Sequence, residues 1–254
     1  MRLAIRAWGE EGSPLAVLVH GVTASSRTWW RVGPWLASRG LHAVAVDLRG
    51  HGGSPRITED LGLEDLAEDL YETISGLPGE RVDVLLAHSL GALVALELCQ
   101  RRGDLVGRLV LEEPPGSEST DFEEIARGVD ADAVRAREAP EAFEREQLAE
   151  NPLWSEEDSA ANAESMRECD AGPVTAMLRK SLRYDLEELV GSGEVPALLI
   201  LGNEARGSAL PEPERTSIAG ALSHGRTEVF DAGHGVHRDD YEGYIRLLED
   251  WLRE

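Results

Sequence analysis

Apolar residues along this chain gather into short consecutive runs separated by longer amphipathic stretches. The runs cover residues 15–20, 43–47, 82–87, 108–111 and 197–201, with a weaker one at 227–230. A strand that is apolar at every position is buried on both faces, as in a parallel sheet covered on either side. Residues 2–8 read as an edge strand. Between the runs, spacings of three and four predict helices over 28–38, 63–75, 90–101, 213–222 and 241–252. Strands alternating with helices predict an α/β fold: a mostly parallel sheet flanked by helices.

The alternation stops between Pro114 and Val195, where no strand pattern appears. Residues 118–170 hold 17 acidic side chains against 5 arginines, with apolar points at Phe122, Ile125, Val129, Phe143, Leu148, Leu153 and Trp154. This predicts three or four amphipathic helices with a solvated outer face. Pro114-Pro115-Gly116-Ser117 opens the stretch and Gly191-Ser192-Gly193 closes it. The expected organisation is a core of residues 1–113 and 195–254, with residues 114–194 inserted as a helical cap over the carboxyl ends of the strands.

Composition narrows the partners. A formal net charge of −23 over 254 residues repels nucleic acid and anionic membranes. The two cysteines, Cys99 and Cys169, give no disulfide framework and no metal-ligand spacing. No long apolar segment precedes Trp8-Gly9-Glu10, so neither a signal peptide nor a membrane span is expected, and the cytoplasm is the default location.

The chemistry concentrates at strand ends. Val82-Asp83-Val84-Leu85-Leu86-Ala87-His88 runs straight into Ser89, and a helical run starts at Leu90. A serine on a sharp strand-to-helix turn presents its hydroxyl outward, with the next backbone N–H and the helix N-terminus facing any oxyanion formed there. The bland alternative is a serine that caps the helix. His234, between Gly233 and Gly235 after the last strand, can serve as general base, with His237 as its competitor. In His20-Gly21-Val22-Thr23 the glycine lets the chain turn, so that the Val22 N–H can pair with that of Leu90 as an oxyanion hole. Asp47-Leu48-Arg49-Gly50-His51-Gly52-Gly53-Ser54 lacks both the P-loop and the dinucleotide spacing, and reads as a structural turn.

His20-Gly21, the Asp47–Ser54 turn, Ala87-His88-Ser89-Leu90-Gly91 and Ala232-Gly233-His234 together resemble the α/β-hydrolase superfamily, in its order along the chain. Ala87 stands where that superfamily often has glycine. The resemblance implies Ser89 as nucleophile, His234 as base, and Val22 and Leu90 as oxyanion donors. It also implies a third member, an Asp or Glu, after the strand at 197–201. There the common spacing falls on Ala205, which cannot serve, and Glu204 is one residue early. A subset of the superfamily, including haloalkane dehalogenases and fungal zearalenone lactone hydrolases, places its acid after the preceding strand. Leu111-Glu112-Glu113-Pro114 resembles that arrangement, with Glu113 in the acid position. Glu112 and Glu113 point to opposite faces, so only one can reach His234. Glu113, Glu204 and Glu112 all remain candidates.

The expected activity is hydrolysis of a carboxylic ester or lactone through an acyl-enzyme, without metal or organic cofactor. The alternatives are a thioesterase or carbon–carbon hydrolase on the same triad, or a non-catalytic ligand-binding member of the fold. Because the nucleophile is serine, the resemblance disfavours epoxide hydrolase and dehalogenase chemistry. Trp29, Trp30, Trp154 and Met177 are the expected pocket walls. They suggest a small, uncharged, hydrophobic substrate. The oligomeric state is open, a homodimer included.

Overall fold

The structure, a computed structural model, describes residues 1–79, 81–180 and 182–253. Glu80, Ser181 and Glu254, which the expected domain ranges include, lie outside the described residues.

Among the described residues, seven strands form one sheet: β1 (Ile5–Trp8), β2 (Leu15–Val19), β3 (His42–Val46), β4 (Val84–His88), β5 (Leu109–Glu112), β6 (Ala197–Leu201) and β7 (Gly225–Val229). Their spatial order is β1-β3-β2-β4-β5-β6-β7. β1 pairs antiparallel with β3, and every other pairing is parallel. The helices of the sheet layers are α1 (Val32–Ser38), α2 (Leu63–Ile74) and α3 (Leu90–Arg101). Between β5 and β6 come α4 (Phe122–Glu138), α5 (Pro140–Glu150), α6 (Glu156–Glu168), α7 (Ala171–Lys180) and α8 (Leu186–Gly191). After β6 come α9 (Glu214–Ala221), α10 (Val236–Asp239) and α11 (Tyr241–Arg253).

Successive strand residues point to opposite faces, so consecutive apolar positions create two apolar faces that both require cover. Val17, Val19, Leu85, Leu109, Leu111 and Leu199 lie on one side, in a core shared with α2, α3 and α8. Leu18, Leu86, Val110, Leu198 and Ile200 lie on the other, under α1 and α11. α11 seals its face with Tyr244, Ile245, Leu248 and Trp251. Ile245 and Leu248 each contribute roughly 1.5–3 kcal/mol by leaving water.

Two elements depart from the sequence expectation. Residues 28–38 do not form one helix. A 3-10 turn over Ser26–Trp29 is followed by α1, which begins at Val32. Pro34 is the reason: its ring would clash with the carbonyl four residues back and it has no N–H, so it fits only in a first helical turn. Among the described residues, the 114–194 segment holds five helices rather than three or four. Asp121 caps α4 by accepting from the Glu123 and Glu124 N–H groups, Pro140 stops α4 and starts α5, and Ser155 with Asp158 forms a capping box on α6. α4, α5 and α6 share a small core of Val129, Ala133, Ala136, Phe143, Ala163 and Met166, while Met177 and Leu178 of α7 join the main core.

The Asp47–Ser54 turn braces the loop after β2. Asp47 accepts from the Ser26 N–H at 2.7 Å and the Gly53 N–H at 2.9 Å, and Arg49 forks onto buried Asp69 at 2.6 and 2.7 Å. His20 and His51 sit beneath, each with one ring nitrogen accepting a backbone N–H, from Leu48 and Thr23 respectively. A nitrogen that accepts cannot carry a proton, so both rings are held neutral. Burial, helped by neighbouring His20, lowers the pKa of His51 to about 3. Below pH 6.5 the unfolded chain takes a proton that the folded chain refuses, so stability present above 6.5 is lost as pH falls toward 3. The expected loss at pH 4.5 from His51 alone is about 3 kcal/mol. Urea unfolding at pH 7.5 and 4.5, with the His51 ring followed by NMR, measures it. A His51 titration near 6.5 would contradict it.

Candidate active site

The carboxyl ends of β2, β4 and β5 meet at one point. Three non-glycine residues there have positive φ: Thr23 at 65°, Ser89 at 55° and Glu113 at 51°. Such backbone is strained and persists only where its surroundings over-determine it. At Ser89 the determinants are visible. β4 delivers the chain from inside the sheet, the Ser89 N–H donates to the Glu112 carbonyl at 2.9 Å, and α3 starts at the next residue. Gly91 permits this packing: a Cβ there would lie 2.6 Å from the carbonyl oxygens of Val19 and His20.

The hydroxyl so presented has a partner. Ser89 Oγ is 3.0 Å from His234 Nε2, and His234 Nδ1 is 3.1 Å from Glu113 Oε2. Glu113 is fully buried, whereas the His234 side chain is 38% exposed. The Glu113 carboxylate accepts three further hydrogen bonds: the Gly202 N–H and Ser208 hydroxyl at 2.7 Å, and the Ala209 N–H at 2.6 Å. Burial by itself would raise its pKa. The bond to His234 and the backbone N–H groups outweigh burial and hold the carboxyl below its ordinary value. An ionised Glu113 accepts a hydrogen bond from the His234 Nδ1–H, leaving Nε2 to accept from the Ser89 hydroxyl.

The other carboxylate candidates lie elsewhere. Glu112, the last residue of β5, is buried and binds the ring and backbone N–H of His237 at 2.8 to 3.0 Å. Glu204 is exposed on a 3-10 turn, Glu204–Arg206. His237, the competitor of His234, is buried behind the site and stacked on Trp29 with ring centroids 4.6 Å apart. The backbone N–H groups of Val22 and Leu90 donate to no protein group among the described residues.

A cavity of about 680 Å³ opens over Ser89 and His234, between the sheet and α4, α5 and α6. Val22, Ile125, Val129, Leu153, Trp154 and Met166 line it, together with Asp132, Glu150, Arg206, Arg238 and Asp239. Three of the four expected wall residues are not among its walls. Trp29 is fully buried in the α1/α11 core, Met177 is buried in the main core, and Trp30 turns its indole N–H onto Asp158 at 2.9 Å. Trp154 does line the cavity. Its orientation is set by a 2.9 Å bond from its indole N–H to Asp239. The walls therefore correct the expectation of an apolar, aromatic-lined pocket: charged groups share them with one tryptophan.

Sequence reasoning missed four contributors. The loop after β6 lacks an acid at Ala205 but supplies the donors that hold Glu113. His88 pairs its ring Nε2 with the His234 carbonyl at 2.8 Å. Asp239 accepts from the Gly233 N–H at 2.6 Å, fixing the loop that carries His234. Arg238 enters the cavity wall. The missing acid was itself a signal for the first, since a loop without its carboxylate leaves N–H groups free to receive one. The other three carry no local sequence signal.

The model of the alpha/beta hydrolase family matches residues 16–247. Among curated proteins, epoxide hydrolase 3 of Xenopus tropicalis is 36% identical over 112 residues, 43% of this chain and 30% of that protein. This chain thus spans less than a third of that relative's length. The magnesium-chelatase 30 kDa subunit of Rhodobacter capsulatus is 27% identical over 262 residues, covering 96% of this chain and 88% of that one. Among solved structures, the enol-lactonase from Burkholderia xenovorans LB400 superposes with a TM-score of 0.76 at 21% identity, covering 99% of this chain and 96% of that one.

Proposed function

The chain belongs to the alpha/beta hydrolase family, and on that footing we propose that it hydrolyses a carboxylic ester or lactone through an acyl-enzyme on Ser89. The observation that carries this reading is the unbroken relay of Ser89 Oγ, His234 and Glu113 on the cavity floor. His234 Nε2 takes the hydroxyl proton as Ser89 Oγ attacks the carbonyl carbon. The new oxyanion accepts from the Val22 and Leu90 N–H groups. Collapse expels the alcohol oxygen, which leaves with the proton from His234. For a lactone it stays tethered as a hydroxy acid ester. Water, deprotonated by the same ring, then releases the acid and restores Ser89. Glu113 holds the ring in the required tautomer and stabilises its charged form. Segment 114–194 acts as the cap that encloses the substrate.

Chemistry separates this reading from epoxide opening, the activity that the name of the Xenopus relative states. A serine oxygen that opened an epoxide would end as an ether with no acyl carbon for water to attack, so the enzyme could not turn over. A serine ester with an acyl carbon has no such trap.

A fluorophosphonate probe is expected to label Ser89, and a panel of p-nitrophenyl esters and lactones to be turned over faster than acyl-thioesters or vinylogous diketones. Preference for either of the last two would reassign the bond cleaved. Absence of any Ser89 adduct would favour a non-catalytic binding role.

A further inference from the structure

We propose that the cavity binds a substrate bearing one carboxylate, held by Arg238. This rests on the reading of Ser89 and His234 as a hydrolytic site. It departs from the uncharged substrate that the sequence suggests.

Arg238, on α10 four residues after His234, lines the same cavity. It is only 8% exposed. Its guanidinium lies over the Trp154 ring, with Cζ 4.1 Å from the centroid. Against Gly235 it packs so closely that a Cβ there would sit 3.0 Å from Nε and 3.1 Å from Nη2. The group is thus held between Trp154 and Gly235 in the wall of the cavity that His234 also lines, yet its donors are almost unused. Nη1 reaches Asn162 Oδ1 at 3.4 Å, Nε is buried without a partner, and no ion pair forms among the described residues.

The neighbouring carboxylates do not fill this need. Glu112 is taken by His237, Asp158 by Trp30 and Ser155, and Asp239 by Gly233 and Trp154. Burial accordingly lowers the pKa of Arg238 from its ordinary value despite the field of all three. A buried guanidinium without a carboxylate partner matches a carboxylate that can accept from its Nη groups. Asp239 beside it, and Asp132 and Glu150 elsewhere in the lining, repel a second negative charge, while Arg206 of the same lining is paired with Asp231. That argues for a monoanion over a phosphate monoester. The carboxylate belongs either to the acyl side or to the leaving group of the substrate, and matched substrates distinguish the two.

The test compares isosteric pairs: 4-acetoxybenzoate with 4-acetoxybenzamide, and an aryl monoester of adipic acid with its terminal amide. At least one carboxylate is expected to exceed its amide about 10- to 100-fold in kcat/KM. Arg238→Gln should bring that ratio to near one, and Arg238→Lys should keep part of it. Equal rates within both pairs, or a ratio that survives Arg238→Gln, overturns the proposal. Binding of 4-hydroxybenzoate and 4-hydroxybenzamide to Ser89→Ala by calorimetry gives a readout independent of turnover. The benzoate should bind about tenfold tighter, and the difference should vanish in Ser89→Ala/Arg238→Gln. If no ester is cleaved but this difference holds, the hydrolase reading fails and the carboxylate site stands. If esters are cleaved without any carboxylate preference, the reverse is true.

Discussion

Ser89→Ala is expected to lower kcat on the best ester or lactone substrate by about 10⁶-fold, to the level that the oxyanion donors and the cavity provide alone. The size of the loss follows from the order of events. Without Oγ there is no acyl-enzyme, and His234 can only assist direct attack by water, from a position built to serve a different oxygen. KM should change little, because the hydroxyl makes its bond to the substrate only in the transition state. The fold should tolerate the change: the alanine variant keeps the backbone bond to the Glu112 carbonyl, although φ of 55° still strains any residue with a Cβ. Steady-state assays with a matched thermal melt measure both points. Residual activity within tenfold of the wild type would remove Ser89 from the mechanism.

Glu113→Gln should cost about 10³–10⁴ in kcat, while Glu204→Ala should leave it within about threefold. The glutamine variant keeps the shape of the side chain and an acceptor oxygen for the Gly202 or Ala209 N–H. It removes the charge that stabilises imidazolium. Its amide can also turn an N–H toward His234, which favours the tautomer in which Nε2 carries the proton and cannot accept one from Ser89. Glu113→Ala should be worse for stability as well, because it leaves two buried N–H groups and the Ser208 hydroxyl without their acceptor. The paired measurement is a pH profile of kcat/KM together with urea unfolding. A Glu204→Ala enzyme as impaired as Glu113→Gln would move the acid to the loop after β6.

These two experiments bear on the question that the sequence left most open. Period-two alternation predicts that Glu112 and Glu113 point to opposite sides, so only one reaches a given histidine. It does not dictate which. In the structure β5 ends at Glu112, and Glu113 turns away at a φ of 51°. His234, in the loop before α10, and His237, three residues on and within α10, each find one of the two carboxylates. The pairing depends on how residues 231–240 pack against Trp29 and Trp154, from two distant segments, and against Tyr244 of the following helix. Likewise, the tryptophans in 28–38 carried a helical spacing, but Pro34 broke the helix and turned Trp29 inward, away from the cavity. Local spacing reports which side chains share a face. It carries no information on which face another element later covers.

Residue order alone was enough for the layered α/β fold, the strand-to-helix turn at Ser89 and the glycine loop at His234. All three follow from short-range causes: side-chain alternation, the smallness needed at Gly91, and the conformational freedom around Gly233 and Gly235. Three other features needed the closed chain. Glu113 meets His234, the loop after β6 receives that carboxylate, and Arg238 stands half-used in the cavity wall beside Trp154. Those contacts join residues tens to more than a hundred positions apart, or depend on such packing. Their energies arise only when the chain has folded back on itself.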